Sequence, residues 1–214
     1  MIELFKIYDC GLPKKRYGNQ YDGGYVIADG LTYDCCISGG AGGNITCEKD
    51  FAAVHGLMIV YDATVTYDRI KNINVIGKNI GAMNTWGTTN IHDWLGKHKN
   101  VFIKFDIEGA EFAWLDALPH VLQKNIKQMV IEFHGAEQSV KYIQQLQQTH
   151  SLIHVHGNNY SPTVRIDGHE FPNVYEATFV RSADFDIQLS ANKYPCPLDS
   201  PNNPYKNEID LSYL

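Results

Sequence analysis

The chain has 214 residues, 44% of them hydrophobic, which is enough to bury a full core, and its length favours one domain with at most a small appendage. A net charge of −6 leaves no basic footprint for a polyanion, so nucleic acid is not an expected partner, and no apolar run reaches the roughly 18–20 residues needed to span a bilayer. The five cysteines are odd in number and lack a CxxC pair, so they fit neither a disulfide framework nor a sequence-local zinc site, and they read as buried thiols in a reducing, cytoplasmic setting.

Residues 1–9 interleave charges with apolar positions and lack the basic-then-apolar layout of a signal peptide. Lys14, Lys15 and Arg16 form a small basic cluster that reads as a solvated loop. Asp22-Gly23-Gly24 then signals a turn ahead of a short strand over residues 25–28. Residues 1–32 are therefore expected to form an N-terminal β appendage or a flap over a site, with Arg16 and Tyr25 as its polar reach.

A strand over residues 33–38, a glycine loop over 39–44 and a helix over 47–55 follow, an order that lets backbone amides and a helix N-terminus approach a ligand closely. The next strand, 57–62, ends in Asp62 about twenty residues beyond the loop, where an acid accepts hydrogen bonds from ribose hydroxyls. Together these two features point to a nucleoside-containing cofactor. A third short strand with its loop spans 74–81, and a helix with Ile91, Trp94 and Leu95 on one face spans 89–98.

Residues 101–105 are a short, β-branched and aromatic run that opens into three carboxylates, Asp106, Glu108 and Glu111. Such a run is an interior strand ending at an acidic lip, where open α/β sheets bind ligands. Helix over 111–118, strand over 128–134 and a Gln-rich amphipathic helix over 136–150 continue the βαβ rhythm, which implies a parallel sheet with helices on both faces. Two late strands, 151–156 and 174–181, have no helical period between them and suggest an antiparallel pair at the sheet edge. Together residues 1–189 form one domain, and residues 190–214, with four of the eight prolines, form an irregular tail.

A strand period of two puts Glu132 and His134 on one face, at the end that lies beside Asp106. Those three groups could hold a hard divalent cation or remove a proton from a substrate hydroxyl. His154 and His156 also share a face; an HxH pair can bind metal but needs ligands from elsewhere, and His156 or Asn158 as a substrate contact is the stronger reading.

At residues 22–27 (DGGYVI), 38–44 (SGGAGGN), 104–111 (KFDIEGAE), 130–134 (VIEFH) and 154–159 (HVHGNN) the sequence resembles the FkbM-like S-adenosylmethionine-dependent O-methyltransferases. The resemblance covers residues 16–181. It implies a Rossmann-like class I methyltransferase fold, a seven-stranded and mostly parallel sheet with an antiparallel last pair. It also implies that the loop of Ser38, Gly39, Gly40, Ala41, Gly42 and Asn44 holds the amino-acid end of S-adenosylmethionine and that Asp62 holds its ribose. Methyltransferases commonly carry an acid two residues before the first loop glycine; here Cys36 or Ser38 stands there, and Glu48 or backbone amides are the candidates for that contact. The implied acceptor is a sugar hydroxyl in a glycan or glycoside, deoxysugars included, with a non-sugar small molecule or a catalytically silent glycan-synthesis module as alternatives. Asp106 and His134 are the candidate bases, Glu132 and Glu108 complete the catalytic set, and Arg16, Tyr25, Glu111, His156 and Asn158 are candidate acceptor contacts. Asp106, Glu132 and His134 are candidate ligands for magnesium or manganese. A nicotinamide enzyme shares the loop and the ribose acid but needs more chain after Asp106 than remains.

Overall fold

The computed structural model describes residues 1–214. Seven strands form the central sheet: β1 (Cys35–Gly39), β2 (Met58–Tyr61), β3 (Ile73–Ile76), β4 (Val101–Phe105), β5 (Ile126–His134), β6 (His150–Gly157) and β7 (Val174–Arg181). Their spatial order is β6-β7-β5-β4-β1-β2-β3, parallel from β5 to β3 and antiparallel where β7 meets β5 and β6. This is the Rossmann-like class I methyltransferase fold. The helices are α1 (Thr46–His55), α2 (His92–Lys97), α3 (Ala110–Ala117), α4 (His120–Gln123) and α5 (Ala136–Leu146). None is long and apolar enough to cross a membrane.

The strand period sorts β4 between two cores. Val101, Ile103 and Phe105 face the larger core with Trp114, Leu115, Tyr142 and Ile143 from α3 and α5, whereas Phe102 faces a smaller one with Phe51 of α1. Lys104 shares the side of Phe102, so its amine is delivered beneath the glycine loop and α1. The ladder between β4 and β5 shifts register between Ile126 and Gln128, which sends Ile126 to the larger core and turns Gln128, Glu132 and His134 toward the other face.

Over that other face lies a hairpin, Lys14–Gly18 paired with Gly24–Ala28. It is no loose appendage. Tyr17, Tyr25 and Ile27 are part of the smaller core, Gln128 bonds both the amide and the carbonyl of Ala28 at 2.9 and 3.1 Å, and Thr178 donates to the Val26 carbonyl at 2.6 Å. Residues 190–214 contain no helix or strand, yet Tyr194 and Leu211 are buried in the larger core.

Three expectations shift locally. The helix expected over 89–98 starts only at His92, because Ile91 takes a left-handed φ of 55° and Asn90 Oδ1 accepts the His92 amide. The helix expected to run to residue 150 ends at Leu146. The polar connection before β7 folds into a hairpin, Thr163–Ile166 with His169–Pro172, across an Asp167-Gly168 turn with φ of 50° and 87°. That dipeptide is a hairpin signal in the sequence.

Gly40 is where the fold leaves least room. Its φ is 73°, and a Cβ there would sit 1.6 Å from the Asp106 carbonyl oxygen. We expect Gly40→Ala to destabilise the chain by about 3 kcal/mol, read as a lowered urea midpoint with an unchanged slope, whereas Gly43→Ala, where a Cβ meets nothing within 4 Å, leaves the midpoint close to wild type.

Candidate functional site

The C-terminal ends of β1, β4 and β5 converge beside the hairpin. After β4 the chain passes through Glu108 and Gly109 with φ of 56° and 93° before α3 begins. A glutamate held in the left-handed region costs on the order of 1 kcal/mol or more, and such strain concentrates at functional turns. This turn sends Asp106 and Glu108 toward His134 at the end of β5. His134 Nε2 lies 3.9 Å from Asp106 Oδ1 and 3.4 Å from Glu108 Oε2. One atom each from Asp106, Glu132 and His134 lies within 4.8 Å of the others.

Each member of this cluster is oriented from behind. Tyr25 donates its hydroxyl to Asp106 Oδ2 at 2.9 Å, which leaves Oδ1 without a hydrogen bond. Asn158 donates to Glu132 Oε1 at 2.8 Å, which leaves Oε2 unpaired on a residue only 4% exposed. Glu111 Oε1 accepts the His134 backbone amide at 2.7 Å and lies 3.0 Å from its Nδ1, so the ring is oriented with Nε2 outward. Burial opposes charge on His134, but the hydrogen bond and charge of Glu111, with Glu132 and Asp106, lift its pKa to about 9. Burial and the neighbouring Asp106 and Glu176 push Glu132 well above the usual carboxylate range. Burial and Asp106 likewise hold the Tyr25 phenol protonated.

Three cavities meet here. One of about 360 Å³ is lined by Asp22, Glu132, His134, Asn158, Tyr160 and Ser161 among others. A second, about 260 Å³, follows the glycine loop past Tyr25 and Lys104. The third, about 420 Å³, is framed by Tyr61, Ile80, Gly81 and Ile107. Asp106 and Glu108 line all three, and Gly40 and Thr64 are shared by the second and third.

The candidate cofactor residues divide. Gly40, Ala41, Gly42 and Asn44 line the second cavity, whereas Ser38 and Gly39 lie below it within β1. Asn44 also ties the loop to the hairpin by donating to the Asp22 carbonyl at 3.0 Å. Glu48 is fully buried and engaged elsewhere: Ser38 Oγ donates to it at 2.7 Å and the Lys104 ammonium pairs with it at 3.1 Å. Asp62 differs most from its expected role. Its Oδ2 accepts the amides of Ala41 and Gly42, and its Oδ1 accepts the amide and hydroxyl of Thr64, at 2.6–3.0 Å. Those four donors fill the acceptor capacity of a carboxylate, so Asp62 clamps the loop and lines none of the three cavities. Burial raises its pKa, but these bonds outweigh burial and hold it low.

Of the candidate acceptor contacts, Tyr25 and Asn158 reach the site. Arg16 instead caps its own hairpin turn, donating to the Asn19 and Tyr21 carbonyls at 2.9 and 2.7 Å. Glu111 has no exposed surface and serves His134. His156 is 1% exposed and sits between Glu176 and Glu208, which overcome burial and raise its pKa to about 10. Lys104, Asp22, Thr64, Tyr160 and Ser161 were not singled out in the sequence. A lone lysine inside an otherwise apolar strand was the available signal for Lys104, and Asp22 was read only as part of a turn; Thr64, Tyr160 and Ser161 stand in bends and turns whose positions only the fold defines.

No protein-family profile and no curated protein matches the chain. Among solved structures, it is similar to a Streptococcus mutans protein described as a methyltransferase and solved with SAH, at 10% identity and a TM-score of 0.39 over 71% of this chain and 88% of that one. It is also similar to an rRNA methylase of Streptococcus thermophilus, at 9% identity and a TM-score of 0.41 over 71% and 89% of the two chains. A precorrin-6Y C5,15-methyltransferase of Geobacter metallireducens gives 13% identity and a TM-score of 0.38 over 71% and 83%. At these identities and TM-scores the likeness says nothing of activity, cofactor or substrate.

The two lifted histidines make stability depend on pH. The native chain keeps protons on His134 and His156 that the unfolded chain releases near pH 6.5, so this stabilisation is complete below that pH and is lost as pH rises through about 9 and about 10. The melting temperature in EDTA buffer should therefore fall between about pH 6.5 and about pH 8.5, with a shallower slope in His156→Gln; a rise across that interval contradicts the assignment.

Proposed function

We propose that this chain is an S-adenosylmethionine-dependent O-methyltransferase acting on a hydroxyl of a sugar, in a glycan or glycoside. The observation that carries the reading is the meeting of three cavities at Asp106 and Glu108: a cleft with a polar end and an apolar end on one side, and a hydrogen-bonding hollow on the other. The glycine-loop end suits a zwitterionic amino acid, and the end framed by Tyr61, Ile80 and Ile107 suits a flat nucleobase. Because Asp62 is engaged by the loop, Thr64 at the junction and Asn79 beside it are the groups placed for ribose hydroxyls. When bound, the cofactor supplies an electrophilic methyl on a sulfonium.

On the acceptor side the lining residues are Asp22, Glu132, Asn158 and Ser161, with the Tyr160 ring, and the lining includes no lysine or arginine. A polyhydroxylated, uncharged acceptor matches those groups, and a phosphate-bearing one would lack a cationic partner other than His134. Asp106 Oδ1, free of hydrogen bonds, is placed to take the acceptor hydroxyl's proton. His134, protonated up to about pH 9, acts as donor and positive charge beside it rather than as base at neutral pH. Positioning the hydroxyl in line supplies much of the rate, with proton removal as the smaller contribution.

The unpaired oxygens of Asp106 and Glu132, with His134 Nε2 turned outward by Glu111, would also fit a divalent cation, magnesium or manganese by donor hardness, once it displaces the protons that Glu132 and His134 otherwise hold. Those three residues would hold it, and it would polarise the acceptor hydroxyl there.

Calorimetry tests the cofactor: S-adenosylmethionine and its demethylated product are expected to bind, and absence of both at millimolar concentration ends the proposal. A mass-shift screen of hexose and deoxysugar glycosides then tests the acceptor, with addition of one methyl as the expected result. Asp106→Asn should lower kcat by about 100-fold or more while leaving cofactor affinity within a few-fold. Loss of turnover in EDTA, restored by manganese or magnesium, assigns the cluster to a cation; turnover unchanged by EDTA leaves Asp106 as the base alone.

A further inference from the structure

A second group of potential ligands lies along β6 at the sheet edge, outside the site described above. His154, Cys196 and Asp199 each place one ligand atom within 4.8 Å of the other two. His154 comes from β6, where the ladder to β7 shifts register between Leu152 and His154, and the other two come from the irregular tail. We propose that these three residues bind a zinc-class divalent cation, with water in the fourth position, and that it clasps the tail onto the sheet.

The donor set is mixed nitrogen, sulfur and oxygen, which suits zinc and disfavours magnesium or calcium. His154 is 1% exposed, with Nε2 turned to Asp199 and Nδ1 without a hydrogen-bond partner. Asp199 Oδ1 pairs with His154 Nε2 at 2.8 Å and Oδ2 accepts the Cys196 amide at 2.6 Å. The nearby Lys14 ammonium is already committed to the Ile153 carbonyl and the Tyr194 hydroxyl and makes no ion pair with Asp199. Cys196 is half-buried, and its thiol proton would pass to water as the sulfur ligates the cation. No CxxC signals this site, because its ligands are assembled from a strand and a tail more than forty residues apart.

Cobalt(II) tests the proposal in the full-length protein independently of any methyl transfer, since a cobalt–thiolate bond gives a near-ultraviolet charge-transfer absorption that oxygen and nitrogen ligands do not. One equivalent of cobalt should produce that absorption in the wild type and in Asp106→Asn, zinc should quench it competitively, and Cys196→Ser should abolish it. Zinc should also raise the melting temperature of the wild type but not of Cys196→Ser. A wild-type protein that shows no charge-transfer absorption with cobalt, or an absorption that persists in Cys196→Ser, overturns the proposal.

Discussion

The buried ion pair between Lys104 and Glu48 is the constraint around which the edge that carries the three cavities is arranged. Both side chains are at most 3% exposed, and the ammonium also donates to the Gly40 carbonyl at 2.8 Å. One cation thus joins the middle of the sheet, the first helix and the glycine loop. Burial favours the neutral amine, yet Glu48 and Asp106 reverse that preference and raise its pKa. Removing either partner of such a pair typically costs about 3–5 kcal/mol, because the survivor is left charged and dry. The Tyr25 ring packs against the same ammonium, with Nζ 4.8 Å from its centroid. Lys104 therefore also sets the phenol that orients Asp106, and loop shape and acid geometry cannot vary separately.

A polar row crosses the sheet behind the cavity lined by Glu132 and Asn158. Glu132 lies opposite Glu176 in the β5–β7 ladder, and Glu176 lies opposite His156 in the β7–β6 ladder. Glu176 accepts from Asn202 at 3.3 Å, and His156 reaches Glu208 at 3.2 Å, both from the tail. Two adjacent buried carboxylates would repel if both were ionised; the high pKa of Glu132 and the imidazolium of His156 relieve that repulsion from opposite ends. The tail is thereby part of the electrostatic balance of the site.

The sheet was legible because its strands are short β-branched runs separated by helical periods, and each of its seven strands was expected within a few residues of where it lies. Convergence of Asp106, Glu132 and His134 followed from the period of two and the parallel order. What the sequence could not show was which polar atoms are already spent. Asp62 stands where the sequence pattern expects a ribose acid, and only the folded chain shows its oxygens occupied by the Ala41 and Gly42 amides and by the amide and hydroxyl of Thr64. Glu111 and His156 looked like contacts for the same reason: a charged residue near a lip reads alike whether it faces the cavity or supports a neighbour. Long-range tail contacts, such as Asp199 to His154, carry no local pattern at all.

The strand β6 has all eight residues buried although it ends the sheet. It is sheltered by the tail, by the Tyr8–Asp9 segment running alongside, and by Lys14, whose ammonium occupies the Ile153 carbonyl at the bulge. The opposite boundary, β3, is only four residues long and flanked by Lys71 and Lys78, a form that discourages pairing with another chain. The two boundaries are thus protected by different means, one by brevity and charge, the other by a cover that can come off. Peeling back residues 190–214 would open an eight-residue strand edge to strand addition, so self-association under mild destabilisation should begin at β6.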